Sequence, residues 1–321
     1  MKLFAGYDSG GSKTVCVLAD ERGRLLGTGR GGPSNYLYCG KERAKESMET
    51  STREAFEKAG LPLTPMEAAY VGSAAIRMNN GAAHIPFFRT CIEAGTVLCE
   101  SDILPIWYGA LRERPTVISI AGTGAITYVC RPERFTRVSG WGPLLGDEGS
   151  GYDLGRRALQ TACRIFDGRE APDDVFAREI FSFMGAEDPR DLLLLLNQGD
   201  IRSKTATAAR PVFRLYETGN ATAGRLLEQA AEEIALAISA ALKAEEGGES
   251  LPVVLSGSLL RPEEALFSLV EKKARALGCP VSDFLSPQVH PAAAAGALAL
   301  CGGGCAGAAE TLLQNAKGAL L

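Results

Sequence analysis

The chain has 321 residues, enough for about two domains at the usual ~150 residues each. Its 34 Lys and Arg stand against 38 Asp and Glu, a net charge of −4, which excludes the broad basic footprint of a nucleic-acid binder. Charged residues make up 22% and hydrophobic ones 46%, the mixture of a folded globular protein rather than a disordered chain. The opening eight residues reach an acid before an apolar run can form, so no secretory leader is expected. The longest uncharged stretch, 291–309, is mostly Ala and Gly with Leu298 and Leu300 as its large aliphatics. It reads as a tightly packed helix and a glycine loop, and no membrane association is expected. Nine cysteines without a C-x-x-C pair, and two histidines, point to a reducing, cytoplasmic setting rather than to disulfides or a Cys/His zinc site.

A strand is expected over 3–7, then a turn of small residues, Asp8-Ser9-Gly10-Gly11-Ser12. A return strand over 14–18 and a turn at 20–23 continue a hairpin meander, and 31–35 reads as a loop. The spacing predicts a helix over 42–59, with Ala44, Met48, Ala55, Phe56 and Ala59 on one side and Gly60 as its stop. Short strands over 68–71 and 96–99 end at Gly72-Ser73 and Ser101-Asp102. Residues 87–93 and 108–111 are expected to be helical, the latter leading into Pro115.

The opening pattern then recurs. A strand over 116–120 runs into Ala121-Gly122-Thr123-Gly124, and 126–129 returns. Two glycine hairpins, one per half, predict a duplicated domain core with a boundary near Pro115. Helices follow over 152–166, capped by Ser150 with Asp153 three residues on, over 223–243 with Gly247-Gly248 as stop, and over 263–277 and 292–300. A buried strand over 253–255 enters Ser256-Gly257-Ser258. The result is an α/β protein with a mixed sheet in each half, domains 1–115 and 116–321. Whether the last helix, about 305–321, packs back on the first domain is left open.

Hairpins with small tips let backbone N–H groups converge on an anion, and Asp8 stands where a carboxylate would meet a phosphate-bound metal. The alternative is two tight turns. Gly6 to Gly11 has P-loop spacing, but Ser12 stands where that motif needs Lys, and Gly27, Gly29 and Gly31 do not make a dinucleotide fingerprint. Residues 140–151 hold five glycines, two acids and Trp141. A solvated loop explains the acids; a backbone packed against a ligand also explains the glycines and the Trp, and this combination suits a sugar. Asp102 ends a strand where α/β sheets bind ligands, and could accept a proton there; the plainer reading is a turn or cap residue.

These motifs resemble the BadF/BadG/BcrA/BcrD ATPase family, and within it the N-acetylglucosamine kinases of the actin, sugar kinase and Hsp70 superfamily. Asp8 to Thr14 resembles the family's first phosphate motif, Gly31-Pro33-Ser34-Asn35 its G-x-S-N loop, and Ser101-Asp102 its N-D. Gly122-Thr123-Gly124 resembles the second phosphate motif, and Gly140-Trp141-Gly142 with 146–152 is the most specific match. Leu255-Ser256-Gly257-Ser258 and the helix opened by Pro291 complete it. The resemblance implies a two-domain actin-like ATPase (ribonuclease H-like) fold with an interdomain cleft, ATP and Mg²⁺ as cofactors, an amino-sugar substrate and a homodimer. Asp102 would deprotonate the sugar 6-hydroxyl. Asn35, Ser73, Trp141, Gly142 and Asp147 would hold the sugar. Gly10, Gly11, Ser12, Lys13, Gly122, Thr123 and Gly124 would hold the phosphates, Gly257 and Ser258 would line the adenosine site, and Asp8 would position Mg²⁺ through water.

The sequence departs from that pattern in three places. Ser9 replaces a Gly, Ala125 replaces the Ser usual after G-T-G, and 103–107, with Pro105 and Trp107, is bulkier than the family's small-residue helix. The expected function is an ATP-dependent kinase of N-acetylglucosamine, with N-acetylmuramic acid and glucosamine open. The alternatives are an ATPase activator of a CoA-ester dehydratase and a non-catalytic sugar-binding regulator. The first needs a cluster of cysteines beside the hairpin to hold iron and sulfur, and this sequence has no such cluster there.

Overall fold

The computed structural model describes residues 1–245 and 249–318. Its elements in chain order are β1 (Leu3–Ser9), β2 (Thr14–Asp20), β3 (Leu25–Gly31), α1 (Tyr36–Cys39), α2 (Lys41–Ala59), β4 (Met66–Ser73), α3 (Ile85–Phe88), β5 (Ala94–Ser101) and α4 (Ile103–Leu111). After these come β6 (Thr116–Ala121), β7 (Ala125–Arg131), β8 (Arg134–Arg137), α5 (Gly151–Phe166), α6 (Asp174–Met184), α7 (Pro189–Leu196), α8 (Ile201–Thr207) and α9 (Ala209–Glu217). The last are α10 (Ala221–Lys243), β9 (Leu251–Ser256), α11 (Ala265–Ala276), β10 (Val281–Leu285), α12 (Pro291–Gly302) and α13 (Ala309–Asn315). No helix among the described residues is long and apolar enough to cross a membrane.

The chain divides into two compact units, Met1–Arg114 with the segment from Pro287 onward, and Pro115–Ser286. The first carries a sheet in the order β3-β2-β1-β4-β5, the second one in the order β8-β7-β6-β9-β10. In each, the first three strands form an antiparallel meander, and the next two join parallel to its first strand. One topology is built twice, as the paired glycine hairpins predicted.

The first unit's layers are set by glycine. Gly27, Gly29 and Gly31 alternate along β3 and so share one face. A Cβ on them would fall 2.1, 1.9 and 2.0 Å from the carbonyl oxygens of Ala55, Ser51 and Ser47. Two strand residues rise ~6.6 Å and four helical residues ~6 Å, so the two spacings match and α2 lies directly on the strand. These glycines, which fail as a nucleotide fingerprint, are packing residues, and β3 is a strand the periodicity did not reveal. On the other side of β1, the Ala-rich α12 sits equally close at Gly6.

α12 therefore belongs to the first unit, although the sequence reading assigned 116–321 to the second domain. The returning segment starts at Pro287 rather than near 305. The reason is steric: only a stripe of Ala and Gly can approach β1 this closely. α4 also differs, running from Ile103 instead of Tyr108. Pro105 is tolerated because first-turn N–H groups have no helical acceptor to lose, and its ring packs where Gly72 leaves room. The helix expected over 87–93 is replaced by the short α3, after which the Thr90 N–H and hydroxyl both donate to the Phe87 carbonyl (2.9 and 2.7 Å) and the chain continues as turns. Strands β8 and β10 and helices α6 to α9 were not anticipated. Gly247-Gly248, the expected stop of α10, lie outside the described residues.

Candidate functional site

In the first unit, Ser9, Ser73 and Ser101 stand in one register row across β1, β4 and β5, at the edge where the parallel strands end. Ser73 is fully buried. Its hydroxyl meets Ser9 (3.2 Å) and accepts the Ala75 N–H, while its carbonyl accepts the N–H of Asp102 (3.3 Å). Ser73 thus supports Asp102 from behind. A hydroxyl relay continues inward, Thr14 donating to Ser34 (2.6 Å) and Ser34 to Ser9 (2.8 Å). That relay and the paired N–H groups of Ser34 and Asn35, both donating to Gly10 O at 3.1 Å, tie the Asn35 loop to the first hairpin. Asn35 is buried and opens α1, its side chain accepting the Leu37 N–H. Gly10 closes the hairpin through its N–H to Lys13 O (3.0 Å), leaving Ser12 and Lys13 exposed at the tip.

Asp8 and Asp102 share this edge. Burial pushes the Asp8 carboxyl up to about 7, the Asp102 charge adds to the rise, and Lys13 opposes it. Burial also raises Asp102, against a hydrogen bond from Ser101. His290, which sequence reasoning passed over, caps α12 by accepting the Ala292 N–H on Nδ1. Its Nε2 lies 3.9 Å from Asp8 Oδ2, and burial lowers it to about 4, so the ring is neutral near pH 7. The Asp8 carboxylate, whose ionised form burial and Asp102 disfavour more than Lys13 restores, is a hard-oxygen ligand suited to Mg²⁺, which needs one or two carboxylates and takes its other ligands from water and phosphate. No group of three or more potential metal ligands occurs among the described residues.

The Asp8 shift carries a testable consequence. Between about pH 4 and 7 the folded chain binds more protons at Asp8 than the unfolded chain does, so stability falls as pH rises through that window. Without divalent ions the melting temperature should drop from pH 5 to pH 8, and Asp8→Asn should flatten the curve. A wild-type melting temperature that rises across the window would contradict the shift.

In the second unit the glycine loop and hairpin are tied together. The N–H groups of Gly151 and Tyr152, at the start of α5, donate to the carbonyls of Gly122 (2.8 Å) and Thr123 (3.1 Å). Ser150 caps the helix by accepting the Asp153 N–H, as its spacing predicted, while Asp153 accepts the N–H of Gly149 rather than that of Ser150. Gly257, at φ +96°, folds the end of β9 against Ala121, and Ser258 Oγ would lie 3.8 Å from a Cβ on Gly122. The two motifs expected to take phosphate and adenosine are therefore neighbours. Trp141 is 58% exposed, with the Arg137 guanidinium 4.5 Å over its ring. Asp147 is buried in the left-handed region, φ +58°, and accepts the Gly142 N–H at 3.3 Å. Its other oxygen pairs with Arg202 at 2.9 Å. Sequence reasoning missed Arg202; the signal was Asp200 three residues before Ser203, a helix start whose cap the structure contains.

Residues 5–300 match the profile of the BadF/BadG/BcrA/BcrD ATPase family. The chain is 30% identical over 246 residues to the N-acetylmuramic acid/N-acetylglucosamine kinase of Clostridium acetobutylicum, covering 76% of this chain and 80% of that one. It is 25% identical over 314 residues to the N-acetyl-D-glucosamine kinase of Dictyostelium discoideum, covering 93% and 98%. Among solved structures, a candidate N-acetylglucosamine kinase from Chromobacterium violaceum superposes with a TM-score of 0.75 at 25% identity, covering 94% of this chain and 99% of that one.

Proposed function

Because the chain belongs to the BadF/BadG/BcrA/BcrD ATPase family, we propose that it transfers the γ-phosphoryl group of ATP to the 6-hydroxyl of an amino sugar, N-acetylglucosamine first. The observation that carries this reading is Asp102, whose backbone N–H is held by the Ser73 carbonyl and whose carboxylate takes the Ser101 hydroxyl beside Asp8, on the same sheet edge as the first glycine hairpin. Phosphoryl transfer leaves little covalent work for a protein, so it needs positioned phosphates and one proton acceptor on the attacking hydroxyl. Asp102 is that acceptor, and its raised pKa brings its basicity nearer the working pH. Asn35, Trp141, Gly142 and Asp147 bind the sugar, Ser73 supporting from behind. Backbone and side chains of Gly10 to Lys13 and of Gly122 to Gly124 take the phosphates, and Gly257 and Ser258 line the adenosine. Asp8 would hold Mg²⁺, and the ion would supply charge neutralisation on the phosphates. Amino-sugar preference rests on the names of the two curated relatives.

The test is ADP release coupled to a sugar panel. N-acetylglucosamine, N-acetylmuramic acid or glucosamine should stimulate turnover well above glucose. Glucose turned over as efficiently as every amino sugar would refute the specificity, and no stimulation by any sugar would refute the kinase.

A further inference from the structure

A carboxylate buried like that of Asp147 needs a cation, and Arg202 brings one from an element with no place in the expected site. Its Nη2 donates to Asp147 Oδ2 at 2.9 Å. The guanidinium reaches there because α8 lies against α5: a Cβ on Gly155 would fall 2.0 Å from the Thr205 carbonyl oxygen. α5 in turn hangs from the second hairpin by the two backbone bonds at Gly151 and Tyr152. The pair closes over the hairpin tip, since a Cβ on Gly124 would stand 2.7 Å from Arg202 Nη2 and 2.8 Å from Asp147 Oδ2. Asp147 Oδ1 accepts the Gly142 N–H. The Ala125 N–H also donates to this carboxylate, so of its four lone-pair sites only part is left for a ligand.

We propose that Arg202 is a positioning residue, which holds the Asp147 carboxylate ionised and oriented beside Gly124 so that its remaining acceptor capacity takes a sugar hydroxyl. This rests on the reading of Asp147 as a sugar-binding residue. The competing role is simpler: Arg202 would only offset a buried charge, which affects stability but not recognition.

The experiment compares full-length wild type, Arg202→Met, Arg202→Lys, Asp147→Asn and the double variant Arg202→Met/Asp147→Asn. The readouts are N-acetylglucosamine affinity by calorimetry, KM for ATP, and thermal melts. Arg202→Met should weaken sugar binding about tenfold or more, as expected when one partner of a buried charge pair is truncated. KM for ATP should move less than about twofold, since the lost interaction is not made to nucleotide. Arg202→Lys should recover part of the affinity, and the double variant should bind no more weakly than Asp147→Asn. Arg202→Met that melts lower but binds sugar like wild type would overturn the proposal, as would a rise in KM for ATP alone. Strictly additive losses in the double variant would overturn it too, because Arg202 would then act independently of Asp147. If Arg202→Met does not fold, Arg202→Lys decides: a point charge in place of the planar fork should weaken sugar binding, and wild-type affinity would refute the role. Wild type that binds the sugar without phosphorylating it would fail the kinase reading and leave this test standing. Wild type that binds no amino sugar would take both down.

Discussion

Asp102→Asn is expected to lower kcat by ~10²–10⁴ while sugar KM changes much less. Asn keeps the shape of Asp and its capacity to meet the Ser101 hydroxyl, but removes the charge and the basicity. Because burial disfavours the ionised carboxyl here, the neutral amide should cost no stability, and the melt should stay level or rise. Asp147→Asn should behave differently, raising KM as well as lowering kcat, since that side chain is assigned to binding. If Asp102 were only a turn residue before α4, its Asn variant would turn over within about threefold of wild type, far short of general-base loss. That result, with an unchanged melt, would remove Asp102 from the mechanism and most of the site assignment with it.

Gly6→Ala should be among the most damaging single methyls in the first unit. At permissive positions such a change stabilises by ~0.4–1 kcal/mol through the unfolded chain. At Gly6 the new Cβ would lie 1.9 Å from Gly296 N, 2.2 Å from Ala292 O and 2.6 Å from Ala295 C. All three are backbone atoms of α12, so no side chain can turn away. Either β1 or the whole helix must shift, and both lie in the first unit's core. A loss of about 3–5 kcal/mol is expected, a large part of a normal stability of ~5–15 kcal/mol. The melting temperature should fall by roughly 10 °C or the protein should fail to accumulate. Gly307→Ala, where a Cβ meets nothing within 4 Å, is the control and should stay within about 0.5 kcal/mol of wild type. Equal melts for the two variants would disprove the tight β1–α12 contact.

The amino-acid sequence determined what is local or repeated. The two glycine hairpins predicted a duplicated α/β core, and the structure builds the same five-strand order in each unit. Ser150 and Asp153 predicted the start of α5, and Gly60 the end of α2, because caps and left-handed stops depend on a few adjacent residues. Asp8, Asp102, the Asn35 loop and the residues around Asp147 were all legible as motifs.

What required the tertiary structure was every relation set by packing between distant segments. The alternating glycines of β3 looked like a failed nucleotide motif because their partner, the Ser47-Ser51-Ala55 face of α2, lies well along the chain. Residues 291–302 read as a small-residue helix, but nothing in their own composition says that β1 has a glycine to receive it; that contact assigns α12 to the first unit. Arg202 sits on a short helix with no chemical motif, and acquires a role only because α8, α5 and the second hairpin converge on Asp147. A charge buried by the fold must find its counter-charge in space, and the chain's order does not record which one it finds.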